Sequence, residues 1–103
     1  MDMAKIIAFG VKNDNLWDYL SHKLSPKGKE ALPVGEIPTF PSGGSEVDSA
    51  AEIDDFESGE HGALYGMSPS FAILNPEFTF SVDKRNTAYG ALVTFAQACS
   101  CYL

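Results

Sequence analysis

Between residues 30 and 83 the chain has no lysine and no arginine, although eleven Asp and Glu fall there. That gap removes the basic footprint that nucleic acid requires. Long apolar runs are also missing: none approaches the roughly 18 residues of a membrane span. Cysteine is limited to Cys99 and Cys101, too few for a disulfide framework. The Gly-x-Gly-x-x-Gly dinucleotide loop, the Gly-Lys-Ser/Thr phosphate loop and the Gly-x-Ser-x-Gly nucleophile turn are all absent. Met1 to Val11 holds one Lys, a short apolar run and no small-residue cleavage site. No secretory signal is therefore expected, and a cytoplasmic location is.

What is present is ordinary in amount and unusual in layout. The 103 residues are 45% apolar and 20% charged, the composition of a globular chain near the common domain size. One domain spanning residues 1–103 is expected, with residues 30–62 as an acidic loop and helix region inside it. The net charge is −7. Lys5, Lys12, Lys23, Lys27 and Lys29 lie before that region, and Lys84 and Arg85 follow the last acid. Seven acids crowd between Glu46 and Glu60, making a negative potential that attracts basic surfaces.

Ala4 to Val11 is short, apolar and partly β-branched, the pattern of a buried strand. Asn13 or Asp14 is placed to cap a helix carrying Leu16, Trp17, Leu20 and Leu24 on one face, ended by Ser25-Pro26. Pro33 to Gly44 holds three prolines and three glycines and reads as a loop, with an edge strand at best around Glu36 to Phe40. Ser45-x-x-Asp48 resembles a capping box, so Glu46–Glu57 is expected to be helical, stopped by Gly59. Phe71–Leu74 and Phe78–Val82 flank Asn75-Pro76-Glu77 and read as a β-hairpin. Asn86 or Thr87 caps a final helix from Ala88 to about Cys99.

These elements predict an α+β or α/β domain: a small mixed sheet with a C-terminal β-hairpin and two to three packed helices. The expected core is Ile6, Ile7, Phe9, Trp17, Leu20, Leu24, Phe71, Ile73, Phe78, Phe80, Leu92 and Phe95. The order β-α-(β)-α-β-β-α is similar to the thioredoxin fold. Ser68-Pro69-Ser70 before the Phe71 strand resembles the proline, cis in that family, that precedes its third strand. The family's Cys-x-x-Cys would fall near Val11–Leu16, where Lys12-Asn13-Asp14-Asn15 stands instead, so the resemblance implies the arrangement without its redox activity.

Candidate chemistry is sparse. Cys99-x-Cys101 has no histidine at metal-ligand spacing, and a structural zinc takes four ligands. No metal and no cofactor are expected. Asp54, Asp55 and Glu57 lack the calcium-loop spacing. His61 beside the acids is a base candidate without an identifiable nucleophile. The charge layout instead points to a small acidic non-enzymatic binding protein. Its site would be Glu46, Asp48, Glu52, Asp54, Asp55 and Glu57, with Phe40, Phe56 or Tyr65 as apolar anchor. The partner would be a basic protein surface, such as the channel of a nucleic-acid-binding enzyme, with no direct nucleic acid and no membrane. In size and charge this resembles phage counter-defence inhibitors. The alternative is a small α/β enzyme or enzyme subunit using His61 and nearby carboxylates.

Overall fold

The computed structural model describes residues 1–40 and 43–102, so Pro41 of the expected loop lies outside the described residues. Its first element is a helix, α1 (Asp2–Gly10), where a strand was expected. The apolar run is helical because Lys5, Ile6, Ala8 and Phe9 recur on one buried side while Met3 and Ile7 face out, the period of a helix and not of a strand. Asp2 in the first turn suits the positive end of the helix dipole. A short helix, α2 (Leu16–Leu20), follows. It ends before Leu24 because His22 takes a left-handed φ of 60°, and its N-cap is Asn15, neither Asn13 nor Asp14. Asn13 instead clamps the chain: its amide donates to the carbonyls of Phe9 at 2.9 Å and Glu30 at 2.7 Å.

The acidic segment is a strand, and the expected Glu46–Glu57 helix is absent. β2 (Ala50–Asp55) pairs antiparallel with β3 (Glu60–Tyr65), from Ala50 opposite Tyr65 to Asp55 opposite Glu60. Ala51 is buried, Ile53 is half-buried, and Glu52 and Asp54 are exposed, so the acids lie at a period of two. Gly59 turns this hairpin with φ of 73°, a conformation that favours glycine. Ser45 and Asp48 form no capping box. The Lys5 ammonium, only 1% exposed, donates to the carbonyls of Ser45, Asp48 and Ala50 at 2.7, 2.8 and 3.2 Å.

The second strand pair is parallel. β1 (Gly35–Glu36) lies beside β4 (Phe71–Ala72), with Gly35 opposite Phe71. This overturns the Phe71–Val82 hairpin. Asn75-Pro76 does not reverse a ladder; it opens a 3-10 turn, Pro76–Thr79, in which the Asn75 side chain accepts the Glu77 N–H at 3.0 Å. Proline at the first position of such a turn gives up an N–H that has no partner there anyway. The final helix is present as α3 (Lys84–Ser100). It starts four residues early because Asp83, not Asn86 or Thr87, caps it, accepting the N–H groups of Arg85 and Asn86, each at 3.0 Å.

Helices against strands make the molecule mixed α/β in content. A thioredoxin arrangement is unsupported: its first strand is α1 here, and among the described residues no peptide bond, including that before Pro69, is cis. The core joins α1, α2 and the β2–β3 hairpin through Ile6, Phe9, Tyr19, Leu20, Ala51 and Leu64. Phe9 meets Tyr19 edge to face with centroids 5.0 Å apart. Of the expected core, Ile6, Phe9 and Leu20 are buried and Trp17 is partly buried. Ile7, Leu24, Phe71, Ile73, Phe78, Phe80, Leu92 and Phe95 are exposed. Among the described residues beyond Leu64, only Gly90 is buried.

Candidate functional site

Two parallel strands leave their sheet at the same end, so the loops that follow them run side by side. The loop after β1 carries Pro38, Thr39 and Phe40, and the segment after β4 carries Leu74, Asn75 and Pro76. Between them lies a groove of about 440 Å3 lined by Pro38, Phe40, Glu46, Leu74, Asn75, Pro76 and Thr79. A second cavity of about 450 Å3 opens on the other side of Phe40, reaching Phe78, Val82, Asp83 and Asn86 at the start of α3. Crevices beyond the carboxyl ends of parallel strands are the usual ligand position in open α/β sheets, and both volumes fall within the roughly 300–1,000 Å3 of small-molecule sites.

The groove is walled by apolar side chains with few polar groups. Asn75 and Thr79 are tied up locally, Asn75 as a cap and the Thr79 hydroxyl donating to the Pro76 carbonyl at 2.7 Å. Glu46 supplies a carboxylate. Its loop is anchored from α1: besides Lys5, the Ser45 hydroxyl donates to the Asp2 carboxylate at 2.7 Å, which also accepts the Glu52 N–H at 3.2 Å. Partial burial pushes the Asp2 carboxyl up, but Ser45, the Glu52 N–H, Lys5 and the N-terminus outweigh it and hold it below the ordinary aspartate value. In the second cavity the Asn86 N–H and side-chain amide hold the Asp83 carboxyl down as well.

The predicted site residues are spread over the groove, a neighbouring cavity and the β2–β3 hairpin. Glu46 lines the groove, while Asp48 and Glu52 line a separate cavity beside Met1 and Asp2. Asp55 is a turn residue: it accepts from the Ser58 hydroxyl at 2.7 Å and the Glu57 N–H at 3.0 Å. Asp54 is bonded to His61 Nδ1 at 2.7 Å on the open face of the hairpin. That bond raises the His61 pKa above 6.5. Of the suggested anchors, Phe56 is 95% exposed and Tyr65 stacks on His22 with centroids 5.8 Å apart; Phe40 stands between the two cavities. His61 is exposed on β3, and the cavities flanking Phe40 are lined by other residues. Leu74, Asn75, Pro76 and Thr79 were missed because the Asn-Pro pair reads equally as a hairpin turn.

A family model described as iron-containing alcohol dehydrogenase matches residues 1–76, which include β1, β4 and most of the groove. The probable NADH-dependent butanol dehydrogenase 1 of Bacillus subtilis (strain 168) is 40% identical over 96 residues, covering 87% of this chain and 24% of that protein. The NADPH-dependent aldehyde reductase YqhD of Escherichia coli (strain K12) is 32% identical over 111 residues, covering 100% of this chain and 28% of that protein. The crystal structure of NADH-dependent butanol dehydrogenase A from Thermotoga maritima superposes with a TM-score of 0.82 and 26% identity, covering 92% of this chain and 24% of that one. The chain thus spans about a quarter of the length of the relatives it matches. These matches overturn the non-enzymatic inhibitor of phage counter-defence type. They favour the enzyme alternative, although its proposed base, His61, sits away from the groove. The charge argument assumed a Glu46–Glu57 helix, whereas this segment holds a loop, the strand β2 and the turn into β3.

Proposed function

The chain belongs to the iron-containing alcohol dehydrogenase family, and from that premise we propose that it contributes the nicotinamide-dinucleotide-facing part of an alcohol or aldehyde oxidoreductase. The observation that supports this reading is the groove at the carboxyl ends of β1 and β4. Pro38, Phe40 and Leu74 offer apolar walls suited to a nicotinamide ring. The Glu46 carboxylate accepts hydrogen bonds from ribose hydroxyls, the use an acidic residue has in other dinucleotide sites. The groove fits the nucleoside end of the cofactor better than its pyrophosphate, because Glu46 is anionic and no Lys or Arg lies between residues 30 and 83. When bound, the dinucleotide supplies the hydride exchanged with a carbonyl or alcohol carbon. The chain's own part is to bind the ring and keep water from one of its faces.

The iron of the family name finds no matching donors here. Among the described residues no three His, Cys, Asp or Glu side chains gather where a metal would sit. α3 carries neither carboxylate nor imidazole, and Cys99 and Cys101 are free at its end. The residues described do not fit an iron centre, and no step is derived through one.

The test is an NMR titration of the purified chain with millimolar NADH. Shifts at Thr39, Phe40, Leu74, Asn75 and Thr79 are expected. Shifts confined to other residues, or none at saturating cofactor, overturn the reading.

A further inference from the structure

Ser21 to Lys29 holds His22, Lys23, Lys27 and Lys29 and no Asp or Glu, a basic stretch inside a chain of net charge −7. Lys23 reaches Asp18 at 3.7 Å. Among the described residues Lys27 and Lys29 pair with no carboxylate. Both line a cavity of about 480 Å3, and none of the residues that line it is acidic. The loop that presents them is fixed. Its turn is closed by the Lys29 N–H donating to the Pro26 carbonyl at 3.0 Å, with Gly28 at a φ of 77°, the third position of a type II turn. Just beyond, the Glu30 carbonyl accepts from Asn13, and the Leu32 N–H donates to the Ala8 carbonyl at 3.0 Å, so the turn is held against α1. Tyr65 and Met67 form the other wall. His22 covers one face of the Tyr65 ring, with centroids 5.8 Å apart and planes 18° from parallel. Tyr65 is nevertheless half-exposed, and an aromatic ring beside a thioether is a good surface for a second planar ring.

We propose that this cavity binds a nucleoside monophosphate, its phosphate on Lys27 and Lys29 and its base against Tyr65 and Met67. A phosphate monoester carries roughly two negative charges at neutral pH, which two unpaired ammonium groups neutralise. Lysine holds phosphate as a point charge, so a turn that presents two of them suffices. The acids elsewhere repel an anion and leave this basic stretch as its landing point. The cavity is not the groove beside Phe40. The chain enters β1 from the Lys29 side and β4 from the Tyr65 side, so the cavity lies toward the amino ends of these parallel strands and the groove beyond their carboxyl ends. The ligand differs too: each phosphate inside a dinucleotide is bonded on both sides and carries a single charge.

The test is an NMR titration of the purified chain with AMP, beside adenosine and inorganic phosphate. AMP should shift the amides of Lys27, Gly28, Lys29, Tyr65 and Gly66 and bind more tightly than either fragment. Lys27→Ala/Lys29→Ala should weaken AMP about tenfold. Both side chains are exposed, so the unfolding temperature should hold. Tyr65→Leu should also weaken AMP about tenfold, the loss of one stacked base, while leaving inorganic phosphate unaffected. Phe40→Ala should leave AMP binding unchanged. No shift at millimolar AMP, shifts confined to the groove, or an affinity that survives loss of both lysines each overturns the proposal. So does inorganic phosphate or adenosine bound as tightly as AMP. The cofactor reading stands on Phe40 and this one on Lys27, Lys29 and Tyr65, so the failure of one is distinguishable from the failure of the other.

Discussion

Gly62 of β3 and Leu20 of α2 approach so closely that a Cβ at position 62 would lie 2.9 Å from the Leu20 Cβ. The obstacle is the root of a side chain 2% exposed, which cannot swing aside. The Trp17 ring stands 3.5 Å from the same point, held by its indole N–H donating to Glu60 at 2.9 Å. Gly62→Ala should therefore destabilise the chain by about 1–3 kcal/mol through overpacking, read as a lower urea midpoint at unchanged slope. An unchanged midpoint would mean that α2 does not seat on β3 as described.

Phe9 and Phe80 separate the two halves of the molecule. Phe9 is 0% exposed and Phe80 81%. Phe9→Ala should cost about 3–5 kcal/mol in denaturant unfolding, and Phe80→Ala within about 0.5 kcal/mol. Equal losses would place Phe80 in the core after all.

That contrast also shows what could be read in advance. Phe78, Phe80 and Val82 alternate with Thr79 and Ser81 as a half-buried strand does, yet the segment runs from the end of a 3-10 turn, Pro76–Thr79, through a bend to the start of α3. Alternation over five residues cannot be told from a turn when its partner strand is paired elsewhere. Likewise a short apolar run such as Ala4–Val11 reads as a buried strand or as a helix segment, and the packing of Phe9 on Tyr19 decided for the helix. α3 was legible because a polar turn with capping side chains, Asp83 to Thr87, opens a long apolar run that no proline interrupts. Of the groove, Phe40 and Glu46 were singled out for other reasons. Nothing local in sequence announces that Gly35-Glu36 and Phe71-Ala72 pair across 36 residues.

Glu36 is 4% exposed, and neither carboxylate oxygen has a hydrogen-bond partner among the described residues. Burying such a group costs free energy that no hydrogen bond among the described residues returns. Glu36→Met, which keeps the length and drops the polar atoms, should raise stability by about 1–3 kcal/mol. A lower denaturation midpoint for this variant would reveal a partner for the carboxylate.

The His61–Asp54 bond fixes a pH dependence. The folded imidazole titrates above its ordinary 6.5, first because Asp54 accepts its hydrogen bond and then through the charges of Asp54 and Glu52. Its stabilisation is fully present below pH 6.5 and is lost as pH rises through the folded value. Asp2 runs the other way: its contribution is present above 3.8 and is lost as pH falls through its lowered value. NMR titration should give His61 a pKa above 6.5 that Asp54→Asn brings down. Because the pair is exposed, global stability should barely follow it. A His61 pKa unmoved by Asp54→Asn would remove the pairing.

Phe40 is the residue on which the cofactor reading is most exposed to test. It divides the two cavities and belongs to the walls of both, and it lies outside the core formed by α1, α2 and the β2–β3 hairpin. Phe40→Ala should therefore leave the unfolding midpoint unchanged while removing the main apolar surface of the groove. NADH affinity is expected to fall about tenfold, equivalent to about 1.4 kcal/mol. The wild-type affinity should also change little between low and high salt, because an apolar contact is not screened whereas a phosphate held by cations is. Thr39→Ala, at the same loop but off the apolar face of the groove, serves as the comparison and should have the smaller effect. A steep salt dependence, or an affinity that survives Phe40→Ala, would mean that the dinucleotide is held by its phosphates somewhere else on the chain.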